Sequence, residues 1–356
     1  MKIVEFTNET KYIEDFLKLP KKLYLKKDIV QNEEVEKNLI LEKHCLNKYF
    51  KQYKVLLYSD VDEVIGRCIL TTYDKDEVGY VGFFECIEDN NAGVYLLEYI
   101  GNLAKELNLK KLNGPVDSSF WIKYRFKMNN FENRPYTSEP YNKSYYKDIF
   151  KESGYVICNE YVSNHYVKCN LKDKRLNKYK AKWEIAKEKY EIVTPTEENF
   201  LKCIEDIYLL VTELYSNFPM YKSIAKEDFI ELYKDIFKIA DLHLFKIAYY
   251  QGEPVAFMLG LPDYSNLLYN LTFLNKIKII ATKIRAKKYI GLYMAVKKKH
   301  ILLGRYFVYE SLKFASKKHS SLVGALISSE KPNTNYLLDK IKYKDIYCLF
   351  EKNLTM

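Results

Sequence analysis

Three lysines and a histidine, Lys297-Lys298-Lys299-His300, separate an apolar run of strand length from a helical pattern. Tyr289, Ile290, Leu292, Met294 and Val296 form the run, and Ile301, Gly304, Val308, Leu312 and Ala315 then recur three or four apart, on one helix face. Apolar residues return at Leu322–Ile327, so the stretch reads as strand, turn, helix, strand. The first-turn N–H groups of a helix have no partners within it, and neighbouring lysines add positive potential, so such a turn suits a phosphate or diphosphate. A buried helix behind a parallel strand pair needs the same apolar pattern, and lysine is abundant everywhere in this chain. The pattern alone leaves both readings open.

A second cluster lies at 113–146, where Trp121, Tyr124, Phe126, Phe131, Tyr136, Tyr141, Tyr145 and Tyr146 crowd together with Asp117, Arg125, Arg134 and Asn142. Aromatic walls with a few oriented polar groups suit a ligand pocket, and they equally suit a domain interface packed with tyrosine.

Composition narrows the class. A chain of 356 residues, 48% hydrophobic and 29% charged, buries a full core, and two domains are expected. The net charge of +10 comes almost wholly from lysine, with only six arginines, and it is spread along the chain. Nucleic-acid surfaces concentrate arginine, lysine and aromatics on one face, so no nucleic-acid partner is expected. Seven cysteines without a C-x-x-C pair or histidines at ligand spacing read as free thiols in a reducing compartment, with no metal. The acidic residues in the first stretch and the lack of a long apolar window predict neither signal peptide nor membrane span, so the chain is expected to be cytoplasmic.

The elements follow a repeated order. A short strand at Lys2–Phe6 and a helix carried by Ile13, Phe16 and Leu17 precede a meander of strands at 53–58, 64–70 and 79–85. A helix over 92–107, a strand at 111–113, a short helix at 145–153 capped by Gly154 and a long strand at 161–171 complete the first half. The charge-dense stretch 172–191 reads as a linker helix. Helices at 198–217 and 226–238, a hairpin at 244–261, the strand-helix-strand unit, a short helix near 334–340 and a strand at 346–350 repeat the order. The predicted division is 1–171, a linker at 172–191, and 192–356 with an insertion at 262–288. That insertion is a basic amphipathic piece expected to cover a sheet edge or line a cleft, or else to touch a membrane surface or a partner subunit. The fold class is α/β with mixed sheets, in two tandem domains.

This element order resembles the GCN5-related N-acetyltransferase (GNAT) superfamily twice over. The stretches Gly66-Arg67, Val81–Cys86, Gly114–Asp117, Glu139–Asn142 and Tyr145-Tyr146 with Gly154-Tyr155 are similar to a tandem-domain branch of it. The resemblance implies acetyl-CoA or another acyl-CoA as co-substrate, its pyrophosphate held by the turn before the main helix. The best match to that turn is Lys299-His300-Ile301-Leu302-Leu303-Gly304, with Leu302 where the family has glycine. If that position requires positive φ, leucine costs about 1 kcal/mol. In the first half the turn is Glu88–Gly93, whose acids repel a diphosphate, so no CoA is expected there.

The resemblance also implies a tyrosine acid on the late helix, but its positions here are Leu338 and Phe150, which cannot donate a proton. Other groups must then act. Tyr293 and Tyr343 are candidate acids, and Glu85, Asp117, His165 and Asp263 are candidate bases. The backbone N–H groups of Met294 to Val296 are candidates to polarise the thioester carbonyl. Arg67, Phe84, Trp121, Arg125, Tyr141 and Asn142 are candidate substrate contacts. The expected reaction is direct transfer of an acetyl group to the amine of a small molecule or peptide, with the second domain holding the donor, the first shaping the acceptor cleft, and homodimer formation open. The alternatives are a non-catalytic binding protein of this fold and an aminoacyl transferase of tandem related fold.

Overall fold

Apolar runs joined by short polar turns pair with their neighbours in sequence before anything distant. In the computed structural model, which describes residues 1–168, 171–330 and 336–354, this generates the same sheet order in each of two compact units. The first comprises Met1–Glu160 with Ile346–Met356, and the second Tyr161–Asp345.

In the first unit, β1 (Lys2–Phe6) is followed by α1 (Thr10–Leu23) and α2 (Glu33–Ile40), then by the meander β2 (Phe50–Tyr58), β3 (Val64–Tyr73) and β4 (Val78–Cys86). These four strands pair antiparallel in sequence order. Helix α3 (Asn90–Glu106) crosses over to β5 (Lys111–Gly114), which is parallel to β4. The face predicted for α3 is the one it buries, with Leu96, Leu97, Ile100 and Ala104 inaccessible. A two-residue strand β6 (Phe126–Lys127), helix α4 (Tyr146–Glu152) and strand β7 (Val156–Tyr166) follow, with β7 belonging to this unit up to Glu160 and to the second from Tyr161.

The second unit opens with α5 (Asn177–Lys189), β8 (Glu191–Val193), α6 (Phe200–Tyr215), α7 (Lys226–Tyr233) and the single turn α8 (Ile236–Ile239). Strands β9 (Phe245–Tyr250) and β10 (Glu253–Pro262), helix α9 (Phe273–Ile284), strand β11 (Lys288–Val296), helix α10 (Leu302–Lys317), and strands β12 (Ser321–Ser328) and β13 (Ile341–Asn353) complete the chain. Here β8 to β11 are antiparallel, β11 and β12 are parallel, and β12 is antiparallel to β7. Among the described residues no helix is long and apolar enough to cross a membrane.

The units differ from the predicted division in two places. Residues 161–191 belong to the second unit, so 172–191 is not a free linker. Helix α5 has few apolar residues, but Trp183 lies between Lys187 and Lys313, each 4.2 Å from its ring, and donates its indole N–H to Glu310 at 2.5 Å. This anchors α5 to α10 through cation–π and charge-assisted contacts that hydrophobic periodicity cannot reveal. The first unit, in turn, takes its last strand from the far end of the chain, where residues 350–353 of β13 pair antiparallel with β5.

Smaller differences also have causes. Strand β7 runs over Val156–Tyr166, starting ahead of the predicted 161, and its first residues Val156 and Ile157 are exposed, so no buried face marks them. None of the residues of the insertion helix α9 is fully buried. Of the short helix predicted near 334–340, Thr334 and Asn335 lie outside the described residues, and Leu338–Lys340 is one tight turn.

Phe350 tests the role of the returning strand. It is fully buried against Phe126 and Phe150. Phe350→Ala is expected to cost about 3–5 kcal/mol in denaturant unfolding, with hydrogen-exchange protection falling at Lys111–Gly114 while Lys288–Gly291 keeps its own.

Candidate functional site

Strands β11 and β12 pair only over Lys288–Gly291 and Ser321–Gly324. Beyond that point β11 stays bonded to β10 through Tyr293–Val296, while β12 shifts register against β7 and places Leu326 at φ +54°. The parallel pair therefore parts. Because alternate N–H groups of a strand face opposite neighbours, some along Leu292–Val296 face the side that β12 has left. Tyr293, Met294 and Val296 are half-buried there.

The chain next makes a tight turn at Lys298–His300 and enters α10. Lys297 N–H donates to Val255 O at 3.0 Å, and His300 N–H to Lys297 O at 2.8 Å. No residue from Lys297 to Gly304 has positive φ, and Leu302 opens the helix, so the strain expected for leucine at this position does not arise. Its side chain packs on the core behind α10. Leu303 is fully buried in that core, which leaves only its main chain for a ligand, whereas Ile301 and Lys299 are exposed.

No side chain caps α10. The contrast with α3 is direct, because the Asp89 carboxylate accepts from the N–H groups of Asn91 at 2.9 Å and Ala92 at 3.3 Å. The first unit thus closes its own helix end with an internal anion. In the second unit, Tyr336 approaches this place, since a Cβ added to Gly304 would lie 2.7 Å from its hydroxyl. Its carbonyl accepts from Tyr166 Oη at 3.2 Å, and Leu337 N–H donates to Tyr179 Oη at 3.3 Å. His300 Nδ1 lies 3.1 Å from Tyr190 Oη. Burial, then Lys189, Lys297 and Lys299, hold its imidazole below the usual value.

Tyr293 faces the ring of Tyr233 with centroids 6.4 Å apart. Tyr343 stacks on His165 at 4.1 Å, and His165 Nε2 lies 2.7 Å from Asp345 Oδ2, both groups being buried. Asp263 is tied to Lys288 at 3.3 Å. Asp345 and Tyr336 were not singled out from the sequence. Asp345 lies 180 residues from its partner, and one tyrosine among 34 carries no signal.

The first unit gathers most of the other candidates around one cleft. Arg67, Phe84, Glu85, Asp117, Arg125, Tyr141 and Asn142 line it, but Trp121 does not and packs edge-on against Phe120 at 5.2 Å. Most polar atoms here are already engaged. Arg67 is inaccessible and donates to Glu36 at 2.8 Å and to Phe16 O at 2.8 Å. Glu85 accepts from Tyr24 at 2.8 Å, Tyr146 at 2.7 Å and Gln31 at 2.6 Å. Burial pushes the Glu85 carboxyl up, against the pull of Arg67, Tyr146, Lys123 and Tyr24. Asp117 accepts from Phe83 N–H at 2.5 Å and pairs with Lys123 at 2.9 Å. Asn142 holds the main chain of Lys127, and Tyr141 donates to Phe131 O.

This network fixes a strained bulge in β4. Phe83 has φ +51°, and a Cβ on Gly82 would meet Val116 O at 1.9 Å, so only glycine fits. Val116 N–H donates to Val81 O at 2.8 Å. The space between β4 and β5 that corresponds to the parting of β11 and β12 is therefore occupied by the chain itself. Among the described residues no cluster of His, Cys, Asp and Glu could hold a metal ion.

Solved structures of this architecture exist. A tandem GNAT protein from the clavulanic acid biosynthesis pathway matches 100% of this chain and 99% of its own, with a TM-score of 0.53 at 9% identity. A GCN5-related N-acetyltransferase from Anabaena variabilis matches 99% of this chain and 73% of its own, with a TM-score of 0.51 at 7% identity. A glucosamine N-acetyltransferase region of a fungal multi-domain GH3 β-N-acetylglucosaminidase matches 98% of this chain and 38% of its own, with a TM-score of 0.52 at 12% identity. At these identities the likeness is one of fold. No protein-family model matches the sequence, and neither does any curated protein.

The engagement of Arg67 has a measurable consequence. Arg67→Leu leaves Glu36 and Glu85 without their buried cation and is expected to cost about 3–5 kcal/mol in urea unfolding. Adding Glu36→Leu should recover a good part of the loss, and a near-neutral single variant would contradict the structural role.

Proposed function

Because the chain folds as two GNAT domains in tandem, we propose that the second is an acyl-CoA-dependent N-acyltransferase acting on the amine of a small molecule or peptide. The observation that carries this reading is the difference between the two helix ends. The α10 terminus follows a basic turn, lacks a side-chain cap and stands behind a parted strand pair, whereas Asp89 occupies the equivalent place at α3.

The residues fit a CoA diphosphate in charge and in donor type. The main-chain N–H groups of Leu302 and Leu303 and the Lys299 ammonium would hold it. Against the fit stands the Tyr336 phenol over Gly304, which must swing aside for a diphosphate to approach. Acetyl-CoA would supply an acyl group already activated as a thioester. The N–H groups of Met294–Val296 on the side vacated by β12 would orient its carbonyl.

His165, whose Nε2 lies 2.7 Å from Asp345 Oδ2, would be the candidate in this unit to accept the proton of an attacking ammonium. Tyr293 and Tyr343, the latter stacked on His165, would be the candidate phenols to return one. Glu85 and Asp117 are committed to the bulge of β4, which favours a structural role over catalysis.

A second reading has its own support. The engaged cleft of the first unit and the covered α10 terminus favour a non-catalytic ligand-binding protein of this fold.

Calorimetric titration separates the two readings. Acetyl-CoA and desulfo-CoA should both give saturable heat that Gly304→Trp removes, and no heat at millimolar ligand rejects the donor site. If Tyr336 competes for the helix end, Tyr336→Ala should tighten binding by about tenfold. Loss of amine acetylation in His165→Gln, with donor affinity kept, would identify the base.

Acidity provides another check. A bound diphosphate favours the imidazolium of His300, whose proton affinity is otherwise depressed, so binding takes up a proton. Donor affinity should therefore rise as pH falls from 7 towards 5.5, and rise less in His300→Gln. The 3′-phosphate titration of the ligand is common to both proteins and cancels in the comparison.

A further inference from the structure

Helix α9 is mounted with its apolar side outward. Asn275, Ile279 and Thr282, spaced four and three apart, are the half-buried residues and face the protein. The opposite side carries Phe273, Ile277, Ile280 and Ile284 at the same kind of spacing, with accessibilities of 77%, 50%, 61% and 70%. Leu274 beside them is 68% exposed. A water-facing helix normally reverses this pattern, so a continuous exposed stripe of four large apolar side chains requires something to cover it.

The charges around the stripe identify what covers it. Between Asp263 and Glu310 the sequence contains no acidic residue, while Lys276, Lys278, Lys283, Arg285, Lys287 and Lys288 fall on α9 and the segment after it. At 100° per residue Lys276 and Lys283 flank one side of the stripe and Lys278 the other. A second copy docked through the same face would bring these cations against their own counterparts with no carboxylate in the segment to offset them. An acidic lipid surface accepts both features together, with the apolar stripe among acyl chains and the ammonium groups at the level of the phosphates.

We propose that α9 is a peripheral membrane-binding helix that docks the second unit onto anionic lipid. The inference does not depend on acyl transfer, and it concerns a helix lying in the interface rather than spanning the bilayer.

Co-sedimentation of the full chain with vesicles tests it. Vesicles of equal parts phosphatidylglycerol and phosphatidylcholine should carry the protein down, phosphatidylcholine alone should not, and about 0.5 M salt should release most of it. Lys276→Gln/Lys278→Gln should weaken partitioning about twenty-five-fold, at about fivefold for each lysine removed. Ile277→Ser/Ile280→Ser should weaken it at least tenfold with an unchanged circular dichroism spectrum, since both positions are exposed. Failure to sediment with the anionic vesicles, or equal binding to neutral ones, overturns the proposal. So does a concentration-dependent dimer in lipid-free buffer that Ile277→Asp dissolves, which would make the stripe a surface between copies.

Discussion

A backbone N–H that loses its strand neighbour must find another acceptor or face water, and both units are arranged around this requirement. Each contains one parallel pair whose strands separate after a few residues, β4 from β5 and β11 from β12. In the first unit the chain answers from within, as Val116 bonds Val81, Asp117 takes the N–H of Phe83, and Asp89 caps the following helix. In the second unit no side chain caps the corresponding helix, and the residues around it are basic. One architecture thus yields a first unit whose helix end is closed by a carboxylate and a second whose helix end has no side-chain cap, with Lys297 of the preceding turn paired to Glu213 at 2.9 Å.

The seal in the first unit is made of charge rather than hydrocarbon. Arg67, Glu36 and Glu85 are all withdrawn from water. Such groups are tolerated only because every carboxylate there receives several donors. Their geometry is over-determined, and this holds Phe83 in a backbone conformation that a bulky residue otherwise avoids. Arg67 Nε still has no acceptor, a residual cost within an otherwise satisfied cluster.

Much of the fold was legible because local rules agreed with the final structure. The meander, α3 with its buried face, the Gly154 cap at φ +83° and the strand-helix-strand order at 288–328 all follow from periodicity and turn chemistry. What escaped was non-local. Nothing near Ile346 indicates that its strand completes a unit begun at residue 1, and nothing in the polar sequence of α5 reveals that Trp183 is held between two lysines. The candidate site divides the same way. The cluster at 113–146 was recognised from its residue types and Arg67 and Phe84 from the resemblance, but whether each polar atom was free or engaged depended on Tyr24, Gln31 and Glu36, which lie outside every motif.

The returning strand also bears on synthesis. The first unit has most of its residues once Glu160 has been translated, yet it lacks the segment that pairs with β5 until Ile346 and its successors have been made. The Tyr161–Asp345 unit, by contrast, is one continuous stretch of sequence. During translation the amino-terminal sheet must therefore wait with an open edge at Lys111–Gly114, a liability for aggregation or for capture of a foreign strand. The portion made first is the portion closed last.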